Sequence, residues 1–283
     1  MGTHGWRRIA QRGTAVLSLA VLAACSSGDQ PGTAASPEPP KWTTGQWKRA
    51  CTYDPDVLTE LSGLAASQRH PGVLWALNDG GNAAALIALD ARSCEVLGQA
   101  ALSVPNTDWE GLAAGMRKGR PVLFIGDIGN NTRTRTTVSV IEVAEPDLGT
   151  TTATARVHPF SFPDGPVDAE GIMARGTRVW VVTKQFSGSI YRVQLKRGTA
   201  QEVGSAPSFA TDAALSPTAD FFAIRDYPSI HLYRKMPPGQ RVGRSTPPQQ
   251  PQAEAITFSR NGRWLYTASE QDQRLFRAEV KPR

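Results

Sequence analysis

The chain is poor in the residues that most often announce chemistry. Its 283 residues include three cysteines and four histidines. His4, His70, His158 and His231 stand in unrelated contexts, so neither a metal-ligand spacing nor a nucleophile–histidine pairing emerges. Ser187-Gly188-Ser189 lacks the surroundings of a nucleophile elbow. Charged residues make up only 20%, and the formal charge of +6 contains no basic run, which argues against nucleic acid as a partner. Three of those charges, Arg7, Arg8 and Arg12, lie in a segment expected to be removed, leaving +3. No apolar run is long enough to span a bilayer as a stable helix, and no amphipathic helical stretch of useful length occurs. What remains is 40% apolar, with 26 glycines and 21 prolines. That composition suits a globular domain of strands and turns, large enough for a substantial core.

The first 24 residues have the layout of an export signal. Arg7, Arg8 and Arg12 form a positive region, residues 13–22 a short apolar one, and Leu22-Ala23-Ala24-Cys25 ends it with small residues before a cysteine. The quartet resembles the lipobox of bacterial lipoproteins, which implies lipidation at Cys25 and anchoring to the outer face of the cell membrane; the alternative is an ordinary secretory signal. Residues 25–41 are mostly Ser, Gly, Ala and Pro and are expected to be a disordered tether. The domain then runs from 42 to 283. Its cysteines, Cys51 and Cys94, are an even pair in an exported domain, which favours a disulfide over two buried thiols.

An internal repeat organises the rest. Residues 108–135, DWEGLAAGMRKGRPVLFIGDIGNNTRTR, hold its fullest copy: an acid–Gly–apolar step (Glu110, Gly111, Leu112), an apolar run, and an Asp-Ile-Gly-Asn-Asn turn. Copies begin at 62, 110, 170, 213 and 254, at intervals of 48, 60, 43 and 41 residues. Each holds three clear strands and a weaker outer one, with β-branched and aromatic second strands. Four strands every 40–50 residues predict an all-β chain, a β-propeller of four-stranded antiparallel blades. Five blades is the literal count. A sixth could occupy the 60-residue interval, and residues 47–53 could supply the outer strand of the last blade and close the ring.

Propeller geometry brings the acids together. The first strand of each blade lines the channel, and the far end of the second returns to the face where the first began. One ring is expected from Ser62, Glu110, Glu170, Ala213 (with Asp212 before it) and Glu254, and a second from Asp79, Asp127, Lys184, Asp226 and Glu270. Asp108 and Asp168 thicken this acidic collar. Crowded carboxylates repel unless a cation or a proton relieves them, and oxygen-only ligands favour calcium or magnesium. Glu110, Glu170, Glu254, Asp79 and Asp127 are thus the expected metal ligands. Asn82, Asn130, Lys184, Asp212 and Asp226 are candidates for ligand binding, and Glu110 and Glu170 for general base. The competing reading gives these acids and glycines to turn chemistry.

The GDIGNNTRTR segment, the Asp-Ala-Glu-Gly-Ile step at 168–172 and the LNDGGN turn at 77–82 resemble a group of actinobacterial exported propeller proteins with GDIGDN-type and DAEAL-type signatures. The resemblance implies fold and export. More distantly the collar is similar to those of gluconolactonase-like lactonases, which bind a divalent metal through Glu, Asn and Asp, and of phytase-like phosphoesterases, which use calcium. Glu110, Glu170 and Asp127 match these by residue type, while Ser62 and Ala213 interrupt the glutamate ring. The expectation is a lipid-anchored, exported, monomeric propeller that binds a divalent cation and a small molecule or envelope protein. A metal-dependent hydrolase of a lactone or phosphoester is the alternative, and a structural envelope module a third.

Overall fold

A computed structural model describes residues 42–282. The expected signal peptide, Cys25 and the tether lie outside the described residues. No helix occurs among those described. Of 22 strands, all but β10 form five antiparallel blades, named in the order inner to outer. Blade 1 is β3 (Leu61–Ala66), β4 (Val73–Asn78), β5 (Ala85–Asp90) and β6 (Val96–Leu102). Blade 2 is β7 (Trp109–Arg117), β8 (Arg120–Asp127), β9 (Val138–Ala144) and β11 (Ala155–Phe160). Blade 3 is β12 (Ala169–Arg175), β13 (Arg178–Thr183), β14 (Gly188–Gln194) and β15 (Thr199–Ala206). Blade 4 is β16 (Ala210–Leu215), β17 (Phe221–Asp226), β18 (Ile230–Arg234) and β19 (Gln240–Ser245). Blade 5 takes β20 (Ala255–Phe258), β21 (Trp264–Ala268) and β22 (Arg274–Pro282) from the C-terminal part of the chain.

The ring therefore has five blades. The 60-residue interval holds no sixth. It is spent on the loop after Asp127, on β10 (Thr152–Ala153), which runs parallel to β6 of blade 1, and on the return as β11.

Second strands such as β4 and β13 are buried on both faces, which is why they read as near-continuous apolar runs without alternation. The core divides into five apolar clusters, each lying between two neighbouring blades. Trp75, Trp109 and Leu123 help fill the seam between blades 1 and 2. Phe124, Phe160 and Tyr191 lie between blades 2 and 3, and Phe222 stacks on Tyr233 between blades 3 and 4. A blade is thus stable only between neighbours, so the ring must close.

Closure uses the N-terminal strands. β1 (Trp42–Thr44) and β2 (Lys48–Thr52) both pair antiparallel with β22, completing blade 5 and covering its edge. Cys51 on β2 is disulfide-bonded to Cys94, in the β5–β6 turn of blade 1, across 43 residues of sequence. The bond staples the closing blade to its neighbour. Replacing both cysteines by alanine is expected to cost about 3–4 kcal/mol, from the unfolded-chain freedom restored by opening a loop of this size. Urea denaturation under oxidising conditions measures the loss, and a reductant should add nothing further to the double variant.

Candidate functional site

At its upper end the inner strand of each of blades 1 to 4 carries an irregularity, and this shapes the site. Register shifts fall between Leu61 and Gly63, Trp109 and Leu112, Ala169 and Gly171, and Ala210 and Asp212. The bulges leave Ser62, Glu170 and Thr211 unpaired in blades 1, 3 and 4 and Glu110 with Gly111 in blade 2, and Glu254 holds the matching place just before the Ala255–Ala268 pair. The blade 4 member of this ring is therefore Thr211 and not Ala213. Ala213 pairs with Ile224 inside the sheet, as Leu64 pairs with Ala76 and Leu112 with Ile125. The residue after each bulge explains the Glu-Gly step. A Cβ on Gly63 would lie 2.8 Å from Leu112 N, one on Gly111 2.8 Å from Glu170 O, and one on Gly171 2.8 Å from Ala213 N. In blade 4 that position is Asp212, fully buried, whose carboxylate accepts Ala213 N–H at 2.7 Å and Ile256 N–H at 2.8 Å. It bridges blades 4 and 5 rather than facing a ligand.

The second ring also shifts. Asp79, Ile128, Lys184 and Glu270 each donate a backbone N–H to a residue two places before the bulge: Glu60, Asp108, Asp168 and Gln252. Tyr227, just after β17, is the equivalent in blade 4. Asp127 and Asp226 stand one residue earlier, paired with Trp109 and Ala210. A one-residue slip turns a side chain to the opposite face of its strand. Asp127 accordingly meets Arg135 at 2.6 Å, and Asp226 meets His231 at 2.8 Å. Asp127, expected among the metal ligands, and Asp226, expected at a ligand site, both stand outside the two carboxylate clusters of the collar.

What converges is an asymmetric cup. Carboxylate oxygens of Glu110, Glu170 and Glu254 lie within 4.8 Å of one another, all three side chains at most 3% exposed. Lys184 Nζ sits 2.9 Å from Glu170 Oε1 and 3.4 Å from Glu254 Oε1, and the Tyr227 hydroxyl donates to Glu254 Oε1 at 3.2 Å. Asp79, Asp108 and Glu110 form a second trio within the same limit. Arg135 Nη1 approaches Asp108 Oδ2 at 3.9 Å, and no other ion pair reaches this trio among the described residues. Asp108, which pattern matching treated as secondary, is thus a principal member.

Two turn glycines make room for these carboxylates. A Cβ on Gly129 would collide with Glu110 Oε1 and lie 2.6 Å from Asp108 Oδ2, and one on Gly80 would lie 2.8 Å from Asp108 Oδ1. Neither adopts positive φ; in the first turn that role belongs to Gly81, at φ 82°. The two asparagines serve the turns. Asn82 donates to Glu60 Oε2 and the Asp79 carbonyl, and accepts from Thr59. Asn130 is buried, exchanges hydrogen bonds with the Arg135 backbone, and donates its N–H to Asp168 Oδ1 at 2.8 Å.

The electrostatics follow from burial. Asp79 is pushed up to about 6 by burial, with Asp108 and Glu254 adding to the rise against a Gly80 N–H. Glu110 is held well above the usual carboxylate range by burial and by neighbouring Glu170. Burial takes Glu170 up to about 8, although Lys184 opposes it. Burial and the adjoining Glu254 take Glu270 up to about 9. Burial alone would discharge Lys184, but Glu170 and Glu254 hold its proton more tightly than usual.

No protein-family model matches the chain, and no curated protein matches it. Among solved structures it is similar to a glutaminyl cyclase from Myxococcus xanthus, at 13% identity, covering 87% of this chain and 100% of that one, with a TM-score of 0.52. It is also similar to a luciferin-regenerating enzyme, at 9% identity over 84% of this chain and 97% of that one, with a TM-score of 0.50. The likeness is to the β-propeller fold of two enzymes.

Carboxyls whose folded pKa exceeds the unfolded value lose stability as pH rises, because the unfolded chain releases its protons first. With the raised values of Asp79, Glu170 and Glu270, the loss begins near pH 4 and continues to about pH 9. The melting temperature of the cation-free protein is therefore expected to fall across this window. Glu270→Gln should flatten the alkaline part of the curve.

Proposed function

We propose that the collar binds a divalent cation, calcium or magnesium, between Asp79, Asp108 and Glu110, and that this cation anchors an oxygen-bearing small molecule at the channel mouth. The observation that carries this reading is the approach of three carboxylates from two blades that a single cation answers, Arg135 at 3.9 Å from Asp108, while Lys184 already occupies the neighbouring Glu170–Glu254 pair. The donor set suits the ion: all oxygen, with glycines at 80 and 129 leaving the carboxylates space. The opposite side of the mouth differs in character. Phe186, 78% exposed, and Phe209, 49% exposed, pack edge to face at 6.2 Å, two residues along the chain from Lys184 and Thr211 respectively. A ligand with an oxygen-rich head for the cation and an apolar body for this aromatic pair matches both sides.

Adding calcium at about 100 times Kd should stabilise the protein by about 2.7 kcal/mol. It should also release protons, since ligation displaces those held by Asp79 and Glu110. Glu110→Gln and Asp108→Asn should abolish the thermal shift. Absence of any shift with calcium or magnesium in the wild-type protein at pH 8 sinks the metal reading.

One observation favours a second reading, hydrolysis of a lactone or phosphoester. Glu170, pushed up to about 8, exchanges its proton near neutral pH beside Glu110, which suits general acid–base work. Turnover of lactone or phosphoester panels, lost in both Glu110→Gln and Glu170→Gln, is the result that selects it.

A further inference from the structure

The face opposite the collar has the opposite charge. Inner strands run down from the collar, so the hairpins β7–β8 and β12–β13, the β14–β15 turn and the start of β11 all lie at the lower end. Between blades 2 and 3 these segments enclose a cleft of about 700 Å³. Its walls carry Arg117, Arg156, Arg178, Arg192, Lys196 and Arg197, with His158 beside them. Glu142 is the carboxylate at this place, and it is consumed by a two-pronged pair with Arg117 and a 3.1 Å contact from His158. Among the described residues, the other five cations of the cleft form no salt bridge. Lys118 and Arg120, exposed on the β7–β8 hairpin, extend the same sign beyond it.

A second observation concerns the path of the chain. Trp42 pairs with Pro282, beyond the Trp264–Glu279 and Phe258–Leu265 pairs, and its ring packs against Phe221 at the lower start of β17. The sequence preceding the domain therefore joins it on the basic face. That point of entry lies on the same face as the cleft, at the end of the ring away from the acidic mouth.

We propose that this basic face docks on an anionic phospholipid surface, with the cleft between blades 2 and 3 taking a phosphate headgroup, so that the acidic mouth points away from the membrane. Unpaired guanidinium groups grip phosphate through paired N–H donors. Several of them on one face add attraction to a negative leaflet, while the collar on the other face is repelled. Val193 and Leu195 in the cleft wall offer apolar contact where the headgroup joins its glycerol.

The test uses the chain from residue 39 onward, which forms one compact unit, and so does not depend on a lipid at Cys25. Co-sedimentation with vesicles of phosphatidylglycerol and phosphatidylcholine is expected to show binding that weakens with salt, and none to phosphatidylcholine alone. The triple variant Arg156→Ala, Arg192→Ala, Arg197→Ala removes exposed side chains and should keep its melting temperature. It should bind about 100-fold more weakly, at roughly fivefold per charge lost. Arg133→Ala, on the collar side, should bind as the wild type does. Failure to bind anionic vesicles at low salt overturns the proposal, as does equal binding by the triple variant. Saturable binding of inorganic phosphate or polyphosphate without vesicle binding overturns it too, and assigns the cleft to a soluble anion.

Discussion

Five inner strands crowd one axis, and the closeness of their backbones governs what else the molecule can do. Gly63, Gly111 and Gly171 exist where a single added carbon would strike the next strand. Blade 4 breaks this rule with Asp212, and there the carboxylate itself becomes the contact, binding amides of blades 4 and 5. With the backbones pressed together just below the rim, the bulge above each contact has one direction left for its side chain, inward. Glu110 and Glu170 converge for this steric reason, before any charge is considered, and Glu254 joins them from the matching place in blade 5. Arg225 on the neighbouring strand, fully buried and hydrogen-bonded through Nε to the Ala253 carbonyl, reinforces the same junction.

That convergence works against stability. Burial and mutual repulsion raise the proton affinity of Asp79, Glu110, Glu170 and Glu270 together, and one lysine answers them. A purely structural rim would gain by replacing those of these carboxylates that meet no cation, Asp79, Glu110 and Glu270, with neutral residues. Proteins keep such frustrated groups chiefly where they act. The five apolar seams and the disulfide between Cys51 and Cys94 supply the rigidity that lets the carboxylates persist.

The repeat made the blades legible because each one must bury both faces and turn at the same places, so the chain repeats its apolar runs and glycines. The union of Glu110, Glu170 and Glu254 followed from propeller geometry alone. What sequence spacing missed was register. In blade 2 the bulge takes up two residues, and in blade 4 an aspartate stands where glycine is the rule. Matching by residue type therefore slid onto Ala213, Asp127 and Asp226, one or two places from Thr211, Ile128 and Tyr227. Asp108 was visible only as a neighbour of Glu110, because its role depends on Gly80 and Gly129 yielding space from two other turns. The lower cleft was invisible for a different reason. Its cations come from four separate segments, and only the fold brings them to one place.

Blade 5 joins the two ends of the domain, with β1 and β2 laid on β22. Residues 42–52 are the first of the domain to be synthesised and the last to find their partners. Until the final strand is made, β1 and β2 lack the strand they pair with, and the ring cannot close. A truncation of a few residues at either end of the domain therefore threatens the whole ring rather than the blade it touches.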